Sequence, residues 1–171
     1  LDDFRLVDRH ESSRHILDQA YRSRTLAQEL AQLSMFRGLS PEERQRCAEF
    51  LRNRAELVTV DKGQPIFRQG DVATDFYKVR FGFVKVSQRM GEHERVLDYL
   101  GPGRTFGEIG LISSMVDLDA DLAASGGTRT LRVATCTALD TVELVRIRGD
   151  DFRAIVERSP VVRNELVVEA R

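Results

Sequence analysis

The chain is short of several things, and each shortage removes a class of function. It has two cysteines, Cys47 and Cys136, far apart and both in apolar-periodic segments. That argues against a metal site or a disulfide framework, and for small hydrophobes in a core. A reducing, cytoplasmic setting is the matching expectation. Net charge is −1, so nothing in the total marks a nucleic-acid binder. No apolar run approaches the length of a membrane span, and no membrane contact is expected. There are three histidines: His10 and His15 in a polar N-terminal stretch, and His93 in a turn. His10 and His15 are five positions apart, one too many to share a helical face as a zinc-protease pair. No nucleophile–base pair, metal triad or phosphate-binding P-loop is visible, so the chain reads as a non-enzyme with no catalytic or metal residues. The chain begins at Leu1 without a signal peptide, and reads as a piece of something longer.

What is present suits one packed domain with extra helix. The 171 residues are 42% apolar and 31% charged. Ile16, Ala20, Ala27, Leu30 and Leu33 recur near helical spacing, predicting a helix capped at Ser12 or Ser13 and running to about Phe36. It packs on its own domain or links to an upstream one. Gly38 is expected to end it. Ser40-Pro41-Glu42-Glu43 then predicts a helix start: cap, proline at the first position, and a capping box closed by Glu43. Cys47, Phe50 and Leu51 form its buried stripe.

From Leu57 the periodicity changes to alternation. Short strands around Leu57–Val60 and Ile66–Phe67 are broken by the turn sequences Asp61-Lys62-Gly63 and Gln69-Gly70-Asp71. Strands at 76–80 and 83–87 would bury Tyr77, Val79, Val84 and Val86, with Lys78, Arg80 and Lys85 facing out. Gly82 allows a tight turn, 90–92 reads as a hairpin turn, and 95–100 as the next strand. Strands at 135 and 141–147 follow, with Val142, Leu144 and Ile147 as core. Asp150-Asp151-Phe152 opens a helix with Phe152, Ile155 and Val156 on its apolar face. Ser159-Pro160 breaks it, and a last helix from Val161 carries Leu166 and Val167. Short, evenly spaced strands argue for a β-sandwich or barrel.

Chemistry concentrates in LGPGRTFGEIGL, residues 100–111, and in RVAT, residues 132–135. Gly101 and Gly103 permit positive φ. Gly107 and Gly110 leave backbone amides bare at the start of a helical turn, which favours an anion. Glu108 can accept hydrogen bonds from a sugar hydroxyl, and Arg132 offers the forked cation that a phosphate takes. The plain alternative is a structural Glu108–Arg132 ion pair, worth about 0–1 kcal/mol if exposed.

FGEIGLI followed by RVATCTA resembles the phosphate-binding cassette of the cyclic nucleotide-binding domain family, and IFRQGD, FYKVRFGFVKV, LGPG and MFRGLSPEE resemble its core and its helical lead-in. The likeness covers roughly residues 35–160. It implies a mainly β fold with flanking helices: a jelly-roll β-barrel (double-stranded β-helix) with N-terminal helices and two C-terminal helices. The division would be an N-terminal helical extension or linker at 1–37, a β-roll core at 38–148 with an inserted loop at 113–130, and hinge or lid helices at 149–171. By position, the resemblance puts the ligand on Gly107, Glu108, Ile109, Gly110, Arg132, Val133 and Ala134. Glu108 would hold the ribose 2′-hydroxyl and Arg132 the cyclic phosphate. Arg129 is the fallback, because the insertion opens a register question.

Family members that favour cyclic GMP often carry a hydroxyl residue after the arginine. Val133 stands there, so cyclic AMP is expected ahead of cyclic GMP. The implied role is a regulatory sensor acting on an effector outside this chain, with homo-oligomerisation left open. Nucleic acid is not expected through this chain, which stops before a helix-turn-helix could follow. The alternative is a ligand-free β-roll used as an assembly contact. Within the insertion, Asp117, Asp119 and Asp121 invite a calcium reading. Leu122 stands where such a loop needs glycine and Thr128 where it needs glutamate, so a solvated acidic loop or short helix is expected.

Overall fold

In the computed structural model, residues 24–111 and 130–169 are described. The expected cap at Ser12 or Ser13, His10, His15, the aspartates 117, 119 and 121, and Arg129 lie outside them.

Eight strands form among the described residues: β1 (Glu56–Val60), β2 (Pro65–Phe67), β3 (Asp75–Phe81), β4 (Val84–Met90), β5 (His93–Leu100), β6 (Thr105–Phe106), β7 (Thr135–Ala138) and β8 (Val142–Arg148). They build two four-stranded antiparallel sheets, ordered β1-β8-β3-β6 and β2-β7-β4-β5. This is the expected jelly roll with flanking helices. One core lies between the sheets, where Tyr77, Val79, Val84, Leu100, Phe106, Cys136, Val142 and Leu144 meet. Gly91, with φ +64°, makes the two-residue turn between β4 and β5.

A second core covers the other face of the first sheet. Phe76, Val145 and Ile147 from β3 and β8 pack there against Phe36, Leu51, Phe152 and Val162 from the helices. The helices are α1 (Leu26–Ala31), α2 (Pro41–Arg52), α3 (Gly149–Arg158) and α4 (Pro160–Glu169), with a 3₁₀ turn at Ser34–Phe36. Burying a side chain such as Phe152 is worth about 1.5–3 kcal/mol. The capping box at Ser40 and Glu43 forms as read: Glu43 N donates to Ser40 Oγ at 3.2 Å, and Ser40 N to Glu43 Oε2 at 3.0 Å. These bonds hold the Glu43 carboxyl below its ordinary range.

Four expectations need correction. The helix read as continuous to Phe36 is interrupted: Thr25 is extended and caps α1 through a capping box with Gln28, and α1 ends at Ala31. Gly38 is therefore not its stop. A Cβ there would sit 2.8 Å from Val161 Cγ1, so Gly38 admits α4. Gly101 does not have positive φ; its missing side chain makes room for the Phe83 ring, 2.9 Å from where a Cβ would stand. Lys78 does not face out. Helices cover that face, and Lys78 is 2% exposed. Its Nζ lies 2.8 Å from Glu29 Oε2 and donates to the Glu29 carbonyl at 2.9 Å, with Glu29 fully buried. Arg80 joins it, donating to the Arg24 carbonyl and pairing with Glu143.

Candidate functional site

Gly107 ends β6 and turns the chain. Its φ is +90°, a conformation that side chains rarely adopt. Residues 108–111 are helical, and Leu111 buries into the helix-side core. Gly110 is there for space: a Cβ would meet Ala73 Cβ at 2.7 Å.

Arg132 arrives from the far end of the inserted segment. Its backbone is stitched to the loop after β2: Gly70 N donates to the Arg132 carbonyl at 2.8 Å, and Arg132 N to the Asp71 carbonyl at 2.7 Å. Ala73 N donates to Thr130 at 2.8 Å, and Val72 bridges Leu131. That lattice fixes Arg132 whatever the length of the connection before it. The side chain then crosses to the glycine turn. Nη1 donates to the Gly107 carbonyl at 2.8 Å, Nη2 to the Asp75 carbonyl, and the guanidinium lies 4.0 Å from the centre of the Phe67 ring.

Arg132 is 5% exposed. Its Nε is buried and makes no hydrogen bond among the described residues. Burial pushes its pKa down, while Tyr77, Cys136, Asp75 and Glu108 push it back up. An arginine keeps its proton under such a shift, so a buried cation stands here with donor capacity left over. Cys136, beneath it, is pushed up to about 12 by burial. Burial, then the Asp75 charge, raises the Tyr77 phenol.

All seven residues singled out in the sequence (Gly107, Glu108, Ile109, Gly110, Arg132, Val133 and Ala134) line one cleft of about 230 Å³. Val133 and Ile109 are exposed at its edge, while Arg132 and Ala134 are buried. The reading missed Phe67, Val86, Leu100 and Cys136 in the apolar wall, and Asp98 and Arg104 at the rim. These wall residues come from four strands, Phe67 from β2, Val86 from β4, Leu100 from β5 and Cys136 from β7, and nothing local says that the inner face opens into a cleft. A groove of about 330 Å³ between α2 and α3 also exists, lined by Cys47, Phe50, Arg46 and Arg158. It lacks glycine amides and a buried cation. Among the described residues, no group of three or more His, Cys, Asp or Glu is placed to hold a metal. No described helix is long and apolar enough to cross a membrane.

Comparison with known proteins identifies the family and the fold. The model of the cyclic nucleotide-binding domain matches residues 57–159. The cyclic AMP receptor protein of Thermus thermophilus is 32% identical over 133 residues, covering 77% of this chain and 53% of that protein. The cAMP-dependent protein kinase type II regulatory subunit of Drosophila melanogaster is 31% identical over 154 residues, covering 86% of this chain and 40% of its own. The sensor domain of the transcriptional regulator DNR from Pseudomonas aeruginosa superposes with a TM-score of 0.64 at 26% identity, covering 83% of each chain. The chain spans about half the length, or less, of these curated relatives.

Proposed function

The chain belongs to the cyclic nucleotide-binding domain family, and from that premise we propose that the cleft takes a cyclic nucleotide, cyclic AMP ahead of cyclic GMP. One observation carries the reading: Arg132, nine-tenths buried, retains an unbonded Nε at the floor of the cleft. Burying a guanidinium this incompletely bonded is costly, and an anion offsets the cost. The site fits a cyclic phosphate. Gly107 and Gly110 keep side chains out of the space beside Arg132, where a Cβ would come within 3.0 Å and 3.7 Å of its Nη1. Gly107 to Gly110 line the same cleft, and backbone amides that open a helical turn favour negative charge.

In this reading Arg132 and the amides of Gly107 to Gly110 bind the phosphate, and Glu108 accepts from the ribose 2′-hydroxyl. Ile109, Val133 and Ala134 line the edge around the sugar and base, against the wall formed by Val86 and Leu100. Val133 offers guanine no hydrogen bond, which supports cyclic AMP.

The ligand state would pass to an effector outside this chain. The β-roll at 38–148 senses it, the helices at 149–171 respond, and 1–37 links onward. Leu111 supports this division, because it extends the glycine turn into the core shared with Phe152 and Ile155. Differential affinity between two helix arrangements is the thermodynamic requirement. The regulatory and sensor proteins among the relatives support a binding role over a catalytic one.

Calorimetric titration of the chain with cyclic AMP tests the reading. Saturable binding is expected, with Arg132→Ala weakening it by about 1.5–3 kcal/mol, the worth of a charge-assisted bond. Absence of heat at millimolar nucleotide would leave the assembly reading, which the exposed Val96, Leu97 and Tyr99 on β5 favour.

A further inference from the structure

Five residues lining the cleft carry hydrogen-bonding or charged side chains among the described residues: Asp98, Arg104, Thr105, Glu108 and Arg132. Glu108 and Arg132 are committed to sugar and phosphate in the reading above. Thr105 is directly paired with Lys78, so its side chain shares the helix-covered face of the first sheet and points away from the inter-sheet space. Asp98 and Arg104 remain.

Asp98 occupies an unusual position. Its partner on β4 is Val86, and two residues on, Leu100 pairs with Val84. Leu100 and Val84 are buried between the sheets, and Val86 packs against them. Alternation therefore places Asp98 on the inner face, at the mouth end of an apolar row. The strand register shifts between Val86 and Ser87, so Leu97 is the extra residue that re-aims this end of β5. The carboxylate is held in place: Tyr99 N donates to Oδ1 at 2.8 Å, and Arg104 Nη2 to Oδ2 at 3.4 Å. Each oxygen keeps a second lone pair. The side chains are 54% and 61% exposed, so the Arg104 contact is weak and the carboxylate, anchored by Tyr99 N, is open to a ligand.

We infer that Asp98 is the base-reading residue of this cleft, accepting from the 6-amino group of adenine while Arg104 donates to an adjacent ring nitrogen. The inference rests on the nucleotide reading above and adds to it a positive reader of adenine, where Val133 supplies only the lack of a guanine contact. An anchored carboxylate can only accept. It attracts an amine and repels a carbonyl oxygen at the same place, so the discrimination falls between cyclic AMP and cyclic inosine monophosphate. These two differ at that position in exchanging a donor for an acceptor. The plainer role for an inward charge on an edge-side strand is to discourage strand–strand association. That role predicts no effect on base preference.

The test is competition binding of cyclic AMP and cyclic inosine monophosphate to the wild-type chain, Asp98→Ala, Asp98→Asn and Arg132→Ala. The wild type should prefer cyclic AMP about tenfold, the range of a single hydrogen bond gained or opposed. Asp98→Ala should reduce that preference to within about twofold. Asp98→Asn, whose amide donates as well as accepts, should recover affinity for the inosine nucleotide. Arg132→Ala should weaken both nucleotides alike and leave their ratio unchanged. If the wild type binds both nucleotides and Asp98→Ala keeps the wild-type ratio, the base-reading role is wrong while the nucleotide reading stands. If the wild type binds neither, both are wrong.

Discussion

Arg132 Nη1 donates to the carbonyl of Gly107 at 2.8 Å, joining two segments that sequence keeps 25 positions apart. The bond ties the orientation of the cation to the backbone of the glycine turn. Whatever moves Gly107 moves the guanidinium, and the turn in turn continues into Leu111 and the helical core.

Gly107→Ala should therefore damage both fold and site. A Cβ there would lie 3.0 Å from Arg132 Nη1 and 3.2 Å from the Asp75 carbonyl, on a backbone at φ +90°. Backbone strain of this kind costs about 1–3 kcal/mol. Thermal unfolding should show the loss, and titration should show nucleotide affinity falling further than in a control such as Gly63→Ala. Gly63 shares the positive φ but has nothing within 4 Å of its would-be Cβ.

The Glu29–Lys78 pair makes an opposite kind of prediction, because its members depend on each other. Removing one partner strands a buried charge and costs about 3–5 kcal/mol. Lys78→Met alone and Glu29→Met alone should each lower the urea midpoint strongly. The double variant Glu29→Met/Lys78→Met should recover most of the loss. Additive losses would mean that the two side chains do not interact in solution.

Cys136 links stability to alkaline pH. Its folded pKa is about 12, raised chiefly by burial. An unfolded thiol titrates near 8.5, so the unfolded chain loses its proton first as pH rises. Folding stability should then fall above about pH 8.5, by up to about 1.4 kcal/mol per pH unit from this one group. The contribution is fully present below that pH. Urea melts at pH 8 and pH 10 should show a smaller decline for Cys136→Ala than for the wild type. Equal declines would assign the pH dependence elsewhere.

Local features were legible in the sequence. The Ser40–Glu43 box is four consecutive residues, and its geometry follows from them alone. The apolar face of α3 repeats at helical spacing, and Phe152, Ile155 and Val156 are buried as the spacing requires. Seven of the strands among the described residues fall on stretches marked by apolar patterning and turn residues, while β6, two residues long, is not read as a strand. What failed at Lys78 was an inference that needed to know what covers a face. Lys78 alternates with apolar neighbours as a solvated residue would, yet α1 lies over it with a buried glutamate. The helix read through Thr25 has apolar spacing on both sides of the break, and that spacing masked the Thr25-x-x-Gln28 capping box, a signature of the same kind as Ser40–Glu43.

The same division runs through the cleft. Gly107, Glu108 and Arg132 stood out by residue type. The holders of Arg132 did not, because Gly70, Asp71 and Asp75 act through backbone groups and Phe67 through its ring face. Backbone partners leave no signature in side-chain identity.

The central claim is that the amides opening the helical turn and the guanidinium of Arg132 close together on a cyclic phosphate. The most direct measurement is a ¹H–¹⁵N NMR titration of the labelled chain with cyclic AMP. The largest shifts should fall on the amides of Gly107 to Gly110 and on Arg132 Nε–H, saturating together with one affinity. Resonances at these positions unmoved at millimolar nucleotide, or shifts confined to the groove between α2 and α3, would contradict it.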